Sequence, residues 1–144
     1  MSGGRRRSES GATLVEFALV VPILLAVLLG TVQYGYHYWA LETASATARE
    51  AARRLAVGTD WTCTLTEAKN RLAKPAVGTV PDPTRTYKNL LGTTTPSAVL
   101  GGIVTVTVTL PSLDMKLFPV PNNGVITQSA QARIENVPTT PLAC

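Results

Sequence analysis

The sequence predicts an α+β protein: a long N-terminal transmembrane and stalk helix, then a small antiparallel-sheet outer domain with one short helix. Three observations carry that expectation. Phe17 to Val32 reads FALVVPILLAVLLGTV, without a charge. Alanine recurs every fourth residue at Ala40, Ala44, Ala48, Ala52 and Ala56. Val104, Val106, Val108 and Leu110 alternate with Thr105, Thr107 and Thr109, the period-two pattern of a strand with one face buried and one wet.

The apolar block comes first. Extended to Tyr38 it is about 22 residues, and as a helix it spans about 33 Å, enough for the hydrocarbon core of a bilayer. Tyr34, Tyr36, Tyr38 and Trp39 cluster at its far end, half of the chain's eight aromatic residues. Such rings favour the lipid–water boundary, and His37 among them reads as an interfacial residue rather than a ligand or base. Arg5, Arg6 and Arg7 precede the block, and their charge resists translocation. The N-terminus is therefore expected inside the cytoplasmic membrane and everything after Tyr38 outside. A secretory signal peptide cut near Ala44-Ser45-Ala46 is the competing reading. Against it, the stretch after Val32 is long for a signal-peptide tail and carries the aromatic cluster. Pro22 lies within the span, where neighbouring groups can satisfy the carbonyl it frees, and a kink there is expected.

Directly before the block stands Arg5-Arg6-Arg7-Ser8-Glu9-Ser10-Gly11, then Ala12-Thr13-Leu14-Val15-Glu16-Phe17. Gly11, four residues, Glu16 and an aromatic resemble the prepilin peptidase site of type IV pilin-like proteins. The stretch Thr13–Pro22 and the later Ala48-Arg49-Glu50-Ala51-Ala52-Arg53 are most similar to TadE-like pseudopilins of Tad/Flp pilus systems. The resemblance implies cleavage between Gly11 and Ala12, removing a cytoplasmic leader (1–11) and leaving a transmembrane helix and stalk (12–57) and an extracytoplasmic domain (58–144). It implies that Glu16 and Phe17 set subunit register in assembly. It also implies as partners a prepilin peptidase, other pilin-like subunits and an assembly platform driven by a separate ATPase. Two features depart from the commonest patterns. Ala12, not Phe, follows the glycine, and Glu16 is followed by Phe17, not Tyr. With a sizeable outer region, these favour a minor component over a main filament subunit.

The residues give this a physical basis. Gly11 has no side chain to obstruct a protease meeting it in an extended conformation. Cleavage would leave an α-amine on Ala12, one helical turn from Glu16. A lone acid deep in a bilayer costs roughly 2.5–3.5 kcal/mol on insertion scales, which that amine, or a neighbour's, would offset. The alternative is that Glu16 snorkels to the headgroups.

Beyond Trp39 the helix continues to about Val57, where Gly58 supplies a stop. Its alanine ridge at Ala40, Ala44, Ala48 and Ala52 permits close backbone approach, either to other pilin-like helices or to the chain's own domain. Equally, alanine is simply the best helix former. Glu50 and Arg54 form an i,i+4 pair expected on the exposed side.

In the outer region Thr64 or Thr66 is expected to cap a short helix running to about Ala73, ended by Pro75. Residues 75–98 read mostly as loop, with a short strand around Tyr87–Leu91. Strands are expected at Ile103–Leu110 and Val125–Val137, the second with Ile126, Ala130, Ala132 and Ile134 on one face. Pro111, Pro119, Pro121 and Asn123-Gly124 punctuate the connection between them. The sheet should pack on the upper stalk or on the short helix. Cys63 and Cys144, both beyond the span, are able to form a disulfide if exported, the alternative being two unrelated thiols.

No catalytic set is legible. The lone histidine lies in the aromatic cluster, no CxxC spacing or phosphate loop occurs, and no metal or cofactor is expected. Net charge is +4, two units of it from the first eleven residues, without a basic stripe interleaved with aromatics, so nucleic acid is not an expected partner. Nor is a small-molecule substrate. Membrane lipid is. The competing functions are an unprocessed, signal-anchored surface binding module and, less favoured, an anchored enzyme.

Overall fold

The structure, a computed structural model, describes residues 6–142, with side chains from residue 11 onward. Helix α1 spans Arg6–Ala56, 51 residues, a rod of about 77 Å. Pro22 lies inside it without ending it. The helix has two unlike halves. From Gly11 to Leu29 nearly every side chain is exposed. From Gln33 upward one stripe is buried: Gln33, His37, Ala40, Ala44, Thr47, Ala48, Ala51, Ala52, Leu55 and Ala56. Steps of three and four hold that stripe on one face.

α1 stops where glycine permits it to. Gly58 has φ +92°, its N–H donates to the Leu55 carbonyl (3.2 Å), and Thr59 N–H donates to the Arg54 carbonyl (3.0 Å). This crossed pair is a Schellman motif, which satisfies carbonyls that a helix end otherwise leaves bare.

Helix α2 spans Trp61–Leu72. Its cap is Asp60, not the expected Thr64 or Thr66: Asp60 Oδ2 accepts from the N–H groups of Thr62 (2.6 Å) and Cys63 (3.2 Å). The two threonines instead bond back one turn, Thr64 Oγ1 to the Asp60 carbonyl and Thr66 Oγ1 to the Thr62 carbonyl, both at 2.9 Å. Asp outranks Thr as a cap, and its placement directly after the Gly58 turn starts the helix as early as the chain allows.

Four antiparallel strands follow: β1 (Thr84–Lys88), β2 (Thr94–Thr95), β3 (Ile103–Pro111) and β4 (Val125–Arg133), in the order β2-β1-β3-β4. β3 matches expectation, with Val104, Val106, Val108 and Leu110 buried. The strand expected at Tyr87–Leu91 begins earlier and ends at Lys88, because Asn89 turns the chain. Its side-chain Oδ1 accepts from Leu91 N–H (3.0 Å) and Thr93 N–H (2.9 Å), folding β2 back onto β1. β4 ends at Arg133 rather than Val137. Beyond it Ile134 still exchanges hydrogen bonds with Gly101 and Gly102, and Glu135 and Asn136 turn to donate to the Ala56 carbonyl (2.8 and 3.1 Å). The expected inward face of β4 holds, with Ile126 and Ile134 buried and Ala130 and Ala132 partly so.

The core lies between the upper half of α1 and this sheet, so the stalk is what the sheet packs on. The alanine ridge meets the chain's own valines, and the inward side chains are small enough for backbone and sheet to approach closely.

The bare helix and its collar

Gly11, Ala12, Glu16 and Phe17 all lie on the exposed lower half of α1. Nothing lies within 4 Å of where a Cβ on Gly11 would be. Gly11 is helical rather than extended, because the helix runs back to Arg6 without a break. Exposing its peptide bond in extended form requires unwinding the first turns, where Ser8, Ser10 and Gly11 are weaker helix formers than alanine. Ala12 and Glu16 stand one turn apart, on one face.

Above Leu29 the outer domain packs along one face of the helix. The connection between β3 and β4 descends along α1. The Phe118 ring rests against Gly30, where a Cβ would come within 3.2 Å of it. Gln33 Nε2 donates to the Phe118 carbonyl (2.9 Å), and the Tyr34 hydroxyl donates to the Pro119 carbonyl (2.6 Å). The aromatic cluster therefore divides. Tyr38 and Trp39 are exposed, Tyr36 meets Trp39 edge to face at 5.4 Å, and Tyr34 serves the collar. His37, expected at the interface, is buried instead. It lies one turn above Gln33 on the stripe that faces the domain, a placement fixed by helical phase rather than by its neighbours in sequence.

The roles of Ala40, Ala44, Ala48 and Ala52 resolve in the same way. All are essentially inaccessible, covered by the chain's own sheet, so this ridge is not available to another helix. The Glu50–Arg54 pair is not on the exposed side but in the seam between α1 and α2. Glu50 bonds Arg53 (2.9 Å) and Arg54 (2.8 Å), Arg54 also pairs with Glu67, and Glu67 pairs with Arg71 (2.6 Å). The guanidinium groups of Arg53 and Arg54 hold the Glu50 carboxyl down at a pKa of about 2. Elsewhere the Arg85 guanidinium lies over Trp61 (4.7 Å) and Tyr87 (5.5 Å), tying α2 to β1.

Among the described residues there is no cluster of three or more potential metal ligands and no free cysteine. Cys63 is buried in α2, whereas Cys144 lies outside the described residues. One helix among those residues is long and apolar enough to cross a membrane, the segment of α1 from Gly11.

A bare apolar helix, the one candidate span among the described residues, thus leads into a small α+β domain that packs on its upper half. Residues 11–53 match the family model described as TadE-like protein. The matched stretch begins at Gly11 and contains both motifs that carried the sequence resemblance, Thr13–Pro22 and Ala48–Arg53. No match to the chain was found among curated proteins or solved structures.

Proposed function

We propose that this chain is a minor, TadE-like pilin: a structural component in the assembly of a Tad/Flp-type pilus, processed by prepilin peptidase and without catalytic activity of its own. The observation that carries the reading is the match over residues 11–53, which falls on the apolar helix α1 and starts at the glycine. The peptidase cuts between Gly11 and Ala12, discarding residues 1–11. The mature helix crosses the cytoplasmic membrane once, N-terminus inside, with residues 58–144 outside. The new Ala12 amine then sits one turn from Glu16. Within the bilayer, or against a neighbouring subunit, that pairing offsets the cost of an acid in lipid. Glu16 and Phe17 set the register against other pilin-like helices and the assembly platform. A Cys63–Cys144 disulfide fastens the C-terminus beside α2.

The division of α1 supports this reading. The upper half is filled by its own domain, while the lower half presents Leu14, Phe17, Leu24 and Leu28 with no cover, which suits lipid first and other helices later. N-terminal sequencing of the protein recovered from membranes tests it. Ala12 as the first residue is expected, and Gly11→Val should insert normally yet keep its leader. An intact Arg5–Arg7 leader on the native protein would replace this reading with an unprocessed, signal-anchored binding module.

A further inference from the structure

Thirteen residues separate Pro111 from Val125, far more than two neighbouring antiparallel strands need. Connections of this length inside a compact domain usually serve a purpose beyond linking. This one is tightly built. Lys116, Asn122 and Asn123 all take left-handed backbone angles. Lys116 N–H donates to Asp114 Oδ1 (3.0 Å), and the Lys116 ammonium pairs with the same carboxylate. The loop is thus held in shape and carries its charges as a closed pair. At its lowest point stand Leu117, 50% exposed, and Phe118, whose ring lies on Gly30.

The height of that point is set by helical rise. From Gly11 to Gly30 is about 28 Å, close to the roughly 30 Å of a hydrocarbon core. The uncovered half of α1, from Gly11 to Leu29, fits that core, so the outer boundary falls where Phe118 touches the helix rather than at the Tyr34–Trp39 cluster that the sequence alone suggests. Gln33, just above, would be a costly bare amide at that depth, and the loop supplies the Phe118 carbonyl to its Nε2. We infer that residues 115–120 form a membrane-contact loop, with Leu117 and Phe118 entering the boundary between headgroups and acyl chains of the outer leaflet. The partner is the phospholipid bilayer itself. The loop gives the domain a second foothold beside the span and fixes its tilt on the membrane, and the inference rests on the single-span anchorage proposed above.

The full-length chain reconstituted in phosphatidylcholine–phosphatidylglycerol vesicles provides the test. Tryptophan is introduced by Leu117→Trp or, as a control at the far hairpin tip, by Leu91→Trp, a position 89% exposed. Emission is compared with the parent chain in ordinary vesicles and in vesicles whose acyl chains are brominated near the glycerol. The added emission of Leu117→Trp should fall about twofold in brominated lipid, as for a ring at interfacial depth, while that of Leu91→Trp stays constant. The unsubstituted chain gives an independent readout. A phospholipid bearing a diazirine near its headgroup should leave adducts on the peptide containing Leu117 and Phe118 as well as on the span. Unquenched Leu117→Trp with adducts confined to the span would overturn the inference and leave anchorage standing. Failure of the parent chain to float with vesicles would overturn both.

Discussion

At the scale of single residues, Gly58 decides where the stalk ends. Its positive φ is strained for any other residue, and a Cβ there would collide with the Pro138 ring. Gly58→Ala should cost about 1–3 kcal/mol, against a gain of up to about 1 kcal/mol for Gly35→Ala in the open helix interior, where nothing lies within 4 Å. Thermal melts of the two variants in detergent should therefore move in opposite directions, and a parallel shift would contradict the described turn. Gly58 was legible in the sequence because it follows a helical pattern directly. Asp60 was not, because cap-forming residues recur at Asp60, Thr62, Thr64 and Thr66 and only the turn geometry selects among them. The burial of His37 was hidden for a related reason. Its neighbours Tyr36, Tyr38 and Trp39 suggest an interface by composition, whereas helical phase puts it on the buried stripe, covered by a domain encoded later in the chain.

At the scale of elements, the α1–sheet contact and the α1–α2 seam make separable predictions. Enlarging the ridge by Ala48→Leu should destabilise the isolated protein by about 1–3 kcal/mol through overpacking. That loss, read as a lowered melting temperature in dilute detergent, belongs to the fold rather than to contacts between copies, and an unchanged melting temperature would mean the ridge is not covered. In the seam, the Glu50 carboxyl titrates near 2, below its ordinary 4.5. Its contribution is fully present above the ordinary value and is lost as pH falls through about 2. The melting temperature should therefore decline between pH 4.5 and 2, and Glu50→Gln should decline less steeply over that window. Strand β3 was readable from its own alternation, and the Glu50–Arg54 pair from its spacing. That the pair faces α2 was not readable, since one helix's spacing says nothing of its neighbour. β2 went unseen because two threonines carry no period, and the Asn89 turn that creates it is a matter of side-chain hydrogen bonding.

For the molecule as a whole, the two ends of the outer domain meet. Leu142 N–H donates to the Gly58 carbonyl and its own carbonyl accepts from Asp60 N–H, both at 3.0 Å, so the C-terminal segment runs beside the start of α2, where Cys63 lies. The proposed Cys63–Cys144 bridge would close nearly the entire outer domain, and the chain-entropy relation assigns such a loop about 4.5 kcal/mol as an upper figure. Intact mass without reductant should show both thiols absent from the exported protein, and reduction should lower the melting temperature. Two alkylatable thiols would remove the bridge. The architecture itself, an apolar helix continuous with a stalk and a sheet laid on it, was legible because hydropathy and four-residue periodicity are local. The descent of the β3–β4 connection was not, because it depends on Phe118 meeting a glycine far away in sequence. A rod unbroken from Arg6 to Ala56 also acts as a compass needle. The azimuth of Glu16 is geared to the heading of the outer domain, and inserting one residue between Phe17 and Gly30 swings the two apart by about 100°.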